Sequence, residues 1–130
     1  MKQSSKHYQL RYIYDQADAA GIAAGNACVP IPMSVVQRSN PFDDNSPVVK
    51  AYEPVADGVC GFAWVVIKGN TAFARWAKAS GLTGSHYPSG QSFWIGQFNQ
   101  SMTRKEAYAY AFADVLNKNG ISAYAGSRMD

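Results

Sequence analysis

The residues that could carry chemistry are polar and basic side chains that follow three predicted strands in the C-terminal half. The strands are predicted over residues 61–68, 92–98 and 121–125, from runs of β-branched and aromatic residues. If all three run parallel, their carboxyl ends meet at one edge of the sheet, where open α/β sheets bind ligands. The side chains expected at that edge are Lys68, Asn70, Asn99, Gln100, Ser101 and Arg128.

Two further bases, Arg104 and Lys105, lie in the first turn of a predicted helix. Thr103 and Glu106 have the spacing of a capping box, which predicts that this helix starts at Thr103. Positive charge in a first turn opposes the helix dipole, so two bases there are unfavourable unless an anion binds them. We expect both to lean toward the sheet edge. The alternative is that both are solvated bases whose charge Glu106 offsets.

The elements that must position these side chains follow from hydrophobic periodicity. Helices are predicted over residues 9–27, 71–80 and 103–119, and weaker strands at 35–36 and 48–52, on either side of a turn-rich loop at 39–47. The first helix carries a stripe of small residues, including Gly21 and Gly25, which lets another element approach closely. Because each long C-terminal connection contains a helix, neighbouring strands are expected to be parallel.

These elements predict a fold of the α+β or small α/β class. The order is one helix, weak strands and then β-α-β-α-β, with a small mixed sheet covered by two to three helices. The chain length of 130 residues fits a single domain over 1–130. Residues 57–130 form its most regular part, and residues 1–8 are expected to be flexible.

Aromatic residues make up 13% of the chain, and most of them fall in predicted core elements. The expected core set is Phe62, Trp64, Phe73, Trp76, Phe93 and Trp94. Tyr110 is different because it lies opposite the buried row of the last helix, and Tyr87 lies in a glycine-rich loop. Exposed tyrosines are common in binding interfaces and can also stack on nucleobases. Tyr110 is therefore a candidate binding residue.

Cys60 and His86 are the candidates for nucleophilic catalysis. A reactive thiolate needs a base within hydrogen-bond reach and usually a helix N-terminus. The residues after Cys60 predict a strand instead, which favours a structural cysteine. Asp43, Asp44 and Asn45 resemble a fragment of an oxygen-ligand loop, but the EF-hand spacing is missing, so a solvated turn is expected. Paired histidines, CxxC, P-loop and GxGxxG motifs are also missing, and we expect no metal or cofactor.

The charge of the chain is low and unevenly distributed. Charged residues make up 16% and hydrophobic residues 47%, which excludes disorder for most of the chain. Residues 58–130 hold seven bases and three acids, whereas 15–57 hold two bases and six acids. The isoelectric point near 8.9 permits an anionic partner. The sequence shows no apolar stretch of signal-peptide or membrane-spanning length, so we expect a cytoplasmic protein with no membrane partner.

Three segments carry a resemblance to a known group of proteins. They are the residues DGVCGFAW at 57–64, QSMTRKEAY at 100–108 and SRMD at 127–130. In these segments, and mainly over residues 57–130, the chain resembles a family of small uncharacterised proteins of tailed bacteriophages. The resemblance implies a virus-encoded protein that acts in the cytoplasm of a bacterial host, in host takeover or evasion of host defence. It implies no catalytic or binding residue.

These observations lead to one main hypothesis and two alternatives. The main hypothesis is a non-enzymatic accessory protein that binds a host or viral macromolecule, or a second copy of itself, through the C-terminal sheet edge and exposed aromatic residues. The first alternative is nucleic-acid or nucleotide binding through Lys68, Arg104, Lys105 and Arg128. It ranks second because the bases do not form a dense cluster and the aromatic residues form no ordered RNA-binding motif. The second alternative is a cysteine hydrolase that uses Cys60.

Overall fold

The chain folds into three helices and two antiparallel sheets in a computed structural model, which describes residues 5–29, 36–38, 48–51, 59–98 and 101–130. The helices are α1 (Ser5–Ala27), α2 (Ala72–Ala79) and α3 (Met102–Lys118). The strands are β1 (Val36–Arg38), β2 (Val48–Ala51), β3 (Gly61–Ile67), β4 (Gly84–Ser85), β5 (Gln91–Trp94) and β6 (Ala123–Met129). The predicted α+β class is therefore confirmed. Asp43, Asp44 and Asn45 lie outside the described residues.

The main sheet has the strand order β4-β5-β3-β6, and every neighbouring pair is antiparallel. The prediction that β3, β5 and β6 run parallel is therefore wrong for β3, which is antiparallel to both of the others. The predicted small mixed sheet is likewise an antiparallel one. The two-residue strand β4 explains the error, because it lies inside a segment predicted as a loop and forms a hairpin with β5 that reverses the chain.

Each connection that contains a helix still joins two strands that run in the same direction, as expected for a long connection of this kind. β3 and β4 run in the same direction and are joined through α2, while β5 and β6 run in the same direction and are joined through α3. Each pair is separated by one antiparallel strand. This β-α-β-β-α-β connectivity is the split β-α-β, or ferredoxin-like, arrangement. Such arrangements host many unrelated functions, so the function must be argued from the site.

Helix α1 packs against α3 through its small residues, as the stripe predicts. A side chain at Gly21 would place its Cβ 2.6 Å from the Tyr108 ring, and one at Gly25 would overlap the Phe98 ring. Ala17, one turn earlier, is completely buried. The two glycines therefore allow aromatic rings from the C-terminal half to lie directly on the backbone of α1.

One face of the main sheet packs against the helices and forms the core. Alternate residues of β3 point into it, namely Ala63, Val65 and Ile67, each at most 1% exposed. The Phe112 ring of α3 lies 4.9 Å from the Phe93 ring of β5, measured between ring centroids. The predictions of Phe73 and Phe93 as core residues are thus confirmed.

Element boundaries differ from the predicted ones mainly at helix starts and strand ends. α1 begins at Ser5 instead of residue 9, so residues 5–8 belong to a helix. α3 begins at Met102 because Ser101, not Thr103, is its N-cap, and the Ser101 hydroxyl accepts a hydrogen bond from the Arg104 amide at 3.4 Å. β6 runs on to Met129, beyond the predicted end at residue 125, since residues 126–129 also pair with β3.

Tyr108 couples the helices through a buried hydroxyl, and this contact predicts an alkaline limit to stability. The hydroxyl donates a hydrogen bond to the Asp18 carboxylate of α1. Burial, and then this hydrogen bond, raise the pKa of Tyr108 well above its ordinary value, and burial also raises the pKa of Tyr14. The folded chain therefore keeps protons that the unfolded chain loses above about pH 10. The free energy of unfolding should fall as the pH rises beyond that value.

The alkaline prediction is tested by urea unfolding between pH 8 and 11.5. The unfolding midpoint should decrease above about pH 10, and the decrease should be smaller in a Tyr108→Phe variant, which has no hydroxyl to ionise. The variant also loses the Asp18 hydrogen bond, so its stability at pH 8 is the reference for its own series. An equal decrease in both proteins would contradict the assignment to Tyr108.

Candidate binding surface

The face of the main sheet that points away from the helices carries a group of aromatic side chains. Its residues follow from the strand registers, in which Trp64 pairs with both Trp94 and Gly126. We call this surface the outer face, formed by Phe62, Trp64, Val66, Ser92, Trp94, Tyr124, Gly126 and Arg128. Trp94 and Tyr124 are 57% and 59% exposed. The prediction that Trp94 lies in the core is therefore wrong.

Two tryptophans of the outer face stack on each other. The ring centroids of Trp64 and Trp94 are 5.8 Å apart and their planes differ by 6°. The stack is possible because Gly126, beside Trp64 on β6, has no side chain, and a Cβ there would overlap the Trp64 indole. Trp64 is thus half-buried over a glycine while Trp94 stays accessible. Together they form an aromatic stack on the two central strands.

Arg128 and Lys105 approach the Phe62 ring at one end of the outer face. The Arg128 guanidinium carbon and the Lys105 ammonium nitrogen each lie 5.5 Å from the centre of that ring. A cation at this distance from a ring is attracted by its π-electrons. Arg128 is exposed, so its charge is available to a partner. The Phe62 ring itself lies 5.5 Å from Trp94 and continues the aromatic surface.

A cavity of about 440 Å³ lies at the opposite end of the outer face, beyond the last residue of β3. The side chains of Lys68 and Asn70 line it together with Tyr124, and Ser89 and Ser122 add polar groups. Lys68 and Asn70 are both exposed. Two of the predicted binding residues therefore do lie at a concave surface next to the aromatic residues.

The predicted basic edge is divided between two ends of the sheet. Lys68 and Asn70 lie at the carboxyl end of β3, whereas Arg104, Lys105 and Arg128 lie at its amino end. The seven residues of β3 separate the two groups by about 20 Å at about 3.4 Å per residue. The division follows directly from the antiparallel direction of β3. Asn99 and Gln100 lie outside the described residues.

Three predicted binding residues hold the fold together at the start of α3. Lys105 is 4% exposed and donates a hydrogen bond to the Gly61 carbonyl oxygen at 3.3 Å. Arg104 donates one to the Gly25 carbonyl oxygen at 3.0 Å, and Ser101 is buried as the helix cap. Lys105 thus reaches the amino end of β3 and Arg104 reaches α1, whereas the sequence predicts that both lean toward one ligand-binding edge. The Lys105 ammonium is directed to a backbone carbonyl instead of a ligand.

Tyr110 is exposed, as predicted, but it does not belong to the outer face. It is 63% exposed on α3, while its neighbours Tyr108 and Phe112 face the core. Tyr87 is 91% exposed in the hairpin between β4 and β5. These two tyrosines therefore lie on surfaces other than the aromatic one, and they are useful controls for it.

Cys60 and His86 lie at opposite ends of the main sheet. Cys60 lies directly before the first residue of β3. His86 lies at the other end of that strand, because its neighbour Ser85 pairs with Gln91, which in turn pairs with the last residue of β3. About 20 Å of strand separates them, far beyond hydrogen-bond reach. His86 therefore cannot act as the base for Cys60. Among the residues described, no group of three His, Cys, Asp or Glu side chains could hold a metal ion.

A second concave surface of about 420 Å³ lies between the start of α1 and α2. Lys6, His7, Arg75 and Trp76 line it.

The sequence signal for the outer face was present but incomplete. Alternation over residues 93–95 puts Phe93 and Ile95 on one face and Trp94 on the other, yet the sequence does not say which face the helices cover.

The chain is thus an α+β protein in which the helices cover one face of an antiparallel sheet and the other carries exposed aromatic residues. Comparisons with models of protein families, with curated proteins and with solved structures find no match to it. In the part of the chain that the structure describes, no helix has both the length and the apolar character needed to cross a bilayer.

Proposed function

We propose that the chain is a non-enzymatic binding protein that holds a macromolecular partner against the outer face of its main sheet. The observation that carries the proposal is the stacked pair of Trp64 and Trp94, of which Trp94 is 57% exposed. Tryptophan, tyrosine and arginine are the residues that contribute most binding energy in interfaces. All three types occur on this face, as Trp94, Tyr124 and Arg128.

Because these side chains are exposed, they are better placed to bind a partner than to stabilise the fold. A buried tryptophan stabilises a fold through its large apolar area, whereas Trp94 leaves more than half of its surface in water. Its neighbour Phe93, one residue earlier, already fills the core position of β5. The bacteriophage resemblance adds the prediction that the partner is a host or viral macromolecule of an infected bacterium.

Comparison of Trp94→Ala with Tyr110→Ala tests this function. Both residues are exposed aromatics, but only Trp94 lies on the outer face. Immobilised wild-type protein and both variants are incubated with lysate of a phage-infected bacterium, and bound proteins and nucleic acids are quantified. We expect a macromolecule that wild type and Tyr110→Ala retain and that Trp94→Ala retains about tenfold less, as loss of a central interface tryptophan implies.

Two results would contradict the proposed function. The first is that no macromolecule is enriched by the wild-type protein over a blank surface. The second is that every enriched macromolecule is retained equally by the Trp94→Ala variant. Far-ultraviolet circular dichroism of both variants shows whether each keeps the wild-type fold, which the exposure of the two side chains leads us to expect.

A further inference from the structure

The aromatic side chains of the outer face form a row across three strands. Trp94 on β5 pairs with Trp64 on β3, and Tyr124 on β6 pairs with Val66, two residues further along β3. The two indoles in it stack with nearly parallel planes, which differ by 6°. Trp94 and Tyr124 leave more than half of their surfaces accessible. A planar ligand group can therefore stack at either end of the row.

Positive charge lies on both sides of this row, at the two ends of β3. At one end the Arg128 guanidinium lies over Phe62, with the Lys105 ammonium at the same 5.5 Å from the ring centre. At the other end Lys68 is exposed beside the cavity, and Arg75 donates a hydrogen bond to the Asn70 carbonyl oxygen at 3.3 Å. Two carboxylates lie at the Arg128 end, since Asp130 follows the last residue of β6 and Glu106 accepts a hydrogen bond from the Ser127 hydroxyl. The cations that a partner on the outer face can reach are Lys68 and Arg128, which are exposed, whereas Lys105 is 4% exposed.

This distribution of charge decides between the kinds of macromolecule that could cover the face. Protein hot spots are enriched in the same aromatic residues, but nothing in a protein partner requires cations on both sides of the row. A nucleic-acid strand does, because it has a phosphate at every nucleotide and bases that stack on aromatic rings whatever their sequence. Two cationic groups about 20 Å apart, with stacked rings between them, match that repeating chemistry.

From this charge distribution we infer that the partner on the outer face is a single-stranded nucleic acid. Its bases stack on Trp94 and Tyr124, and its phosphates lie beside Lys68 and Arg128. The inference rests on the proposed function and adds the class of partner. Stacking and phosphate contacts read no base edges, so binding is tolerant of sequence. A duplex binds more weakly, because its bases are already stacked on one another.

The test measures fluorescence anisotropy of a labelled twelve-nucleotide thymidine strand titrated with the full chain. Each phosphate neutralised on a single strand contributes about −0.7 to the slope of log affinity against log salt, so two contacts give about −1.4. The dissociation constant should then rise about sevenfold between 50 and 200 mM NaCl. Lys68→Gln and Arg128→Gln should each reduce the slope by about 0.7, while Lys78→Gln on α2 should leave it unchanged.

Trp94→Ala should raise the dissociation constant about 5- to 140-fold, the range found when a stacking aromatic is removed. Tyr110→Ala should not change it. Trp94→Phe keeps a ring in place and should bind within a few-fold of wild type, which separates loss of stacking from loss of folding. Stacking should also quench tryptophan emission on binding, an effect that a purely electrostatic complex would not produce.

Three results would overturn the inference. They are no binding of the labelled strand at 50 mM NaCl, binding that Trp94→Ala leaves unchanged, and a sedimentation shift showing that the face joins two copies of the chain. Failure of the proposed function is a different result. If the strand does not bind but a protein from the lysate is retained in a Trp94-dependent way, the outer face binds a protein and only the nucleic-acid inference fails.

Discussion

Replacing Phe112 by alanine is expected to lower the free energy of unfolding by about 3–5 kcal/mol. The Phe112 ring is 1% exposed and lies at the centre of the core. Its centroid is 4.9 Å from that of Phe93, 5.8 Å from that of Tyr14 and 5.8 Å from that of Tyr108. It therefore joins β5, α1 and α3, and its removal leaves a cavity that three rings on different elements cannot fill by small movements.

The matched control for Phe112→Ala is Tyr110→Ala on the same helix. Tyr110 is 63% exposed, and surface substitutions usually change stability by less than about 0.5 kcal/mol. Urea unfolding of both variants, followed by circular dichroism, gives the two free energies. A total stability of about 5–15 kcal/mol is typical of a domain, so the Phe112 variant should be close to unfolding. A loss below about 1 kcal/mol would show that the ring is not packed as described.

Alanine at Gly21 or Gly25 is expected to destabilise the fold, although alanine is the better helix former. Helix propensity alone favours each substitution by about 1 kcal/mol. Against this, the new Cβ would lie 2.6 Å from the Tyr108 ring at Gly21 and would overlap the Phe98 ring at Gly25. Overpacking of a filled core costs about 1–3 kcal/mol, and the backbone of α1 cannot move away without separating from α3. We expect a net loss for both variants.

A reversed substitution on the same helix separates packing from propensity. Ala23 is exposed, so Ala23→Gly should cost about 1 kcal/mol through propensity alone. Loss of stability in both Gly21→Ala and Ala23→Gly would show that packing decides the sign at the buried face. If Gly25→Ala were more stable than wild type, the proposed contact with Phe98 would be wrong.

Phe98 offers a second check on the same contact. Its φ is 66°, in the left-handed region that bulky residues rarely adopt, and its ring covers Gly25. In the double variant Gly25→Ala, Phe98→Ala the new Cβ no longer meets a ring. The two substitutions should therefore cost less together than the sum of their separate costs, which unfolding measurements on all four proteins can show.

The local elements of the C-terminal half follow from the sequence to within a few residues. The β-branched run at 61–68 predicts β3. The end of α3 is predicted because the row of apolar residues stops at Leu116 and Gly120 follows shortly after it. Small residues in α1 predict its close contact with another element, because only a helix face without bulky side chains can be approached closely. These features depend on short-range spacing and side-chain size, which the sequence states directly.

The direction of the strands, and with it the candidate site, depends on the tertiary structure. Gly84 and Ser85 form a strand only because β5 lies beside them, and no local pattern in two residues signals this. That hairpin makes β3 antiparallel, which moves Lys68 away from Arg128. Likewise the sequence predicts that Lys105 is solvated or binds a ligand. In the folded chain, its hydrogen-bond partner is the Gly61 carbonyl oxygen.

The sequence by itself determined the α+β class, the apolar composition and the excess of bases after residue 58. It also determined that Phe93 and Trp94 point to opposite faces, since side chains alternate along a strand. Only the tertiary structure decided which face the helices cover, and therefore that Trp94 is exposed and stacks on Trp64. The physical reason is that burial depends on long-range packing of helices on one side of the sheet, whereas alternation is a property of the strand alone.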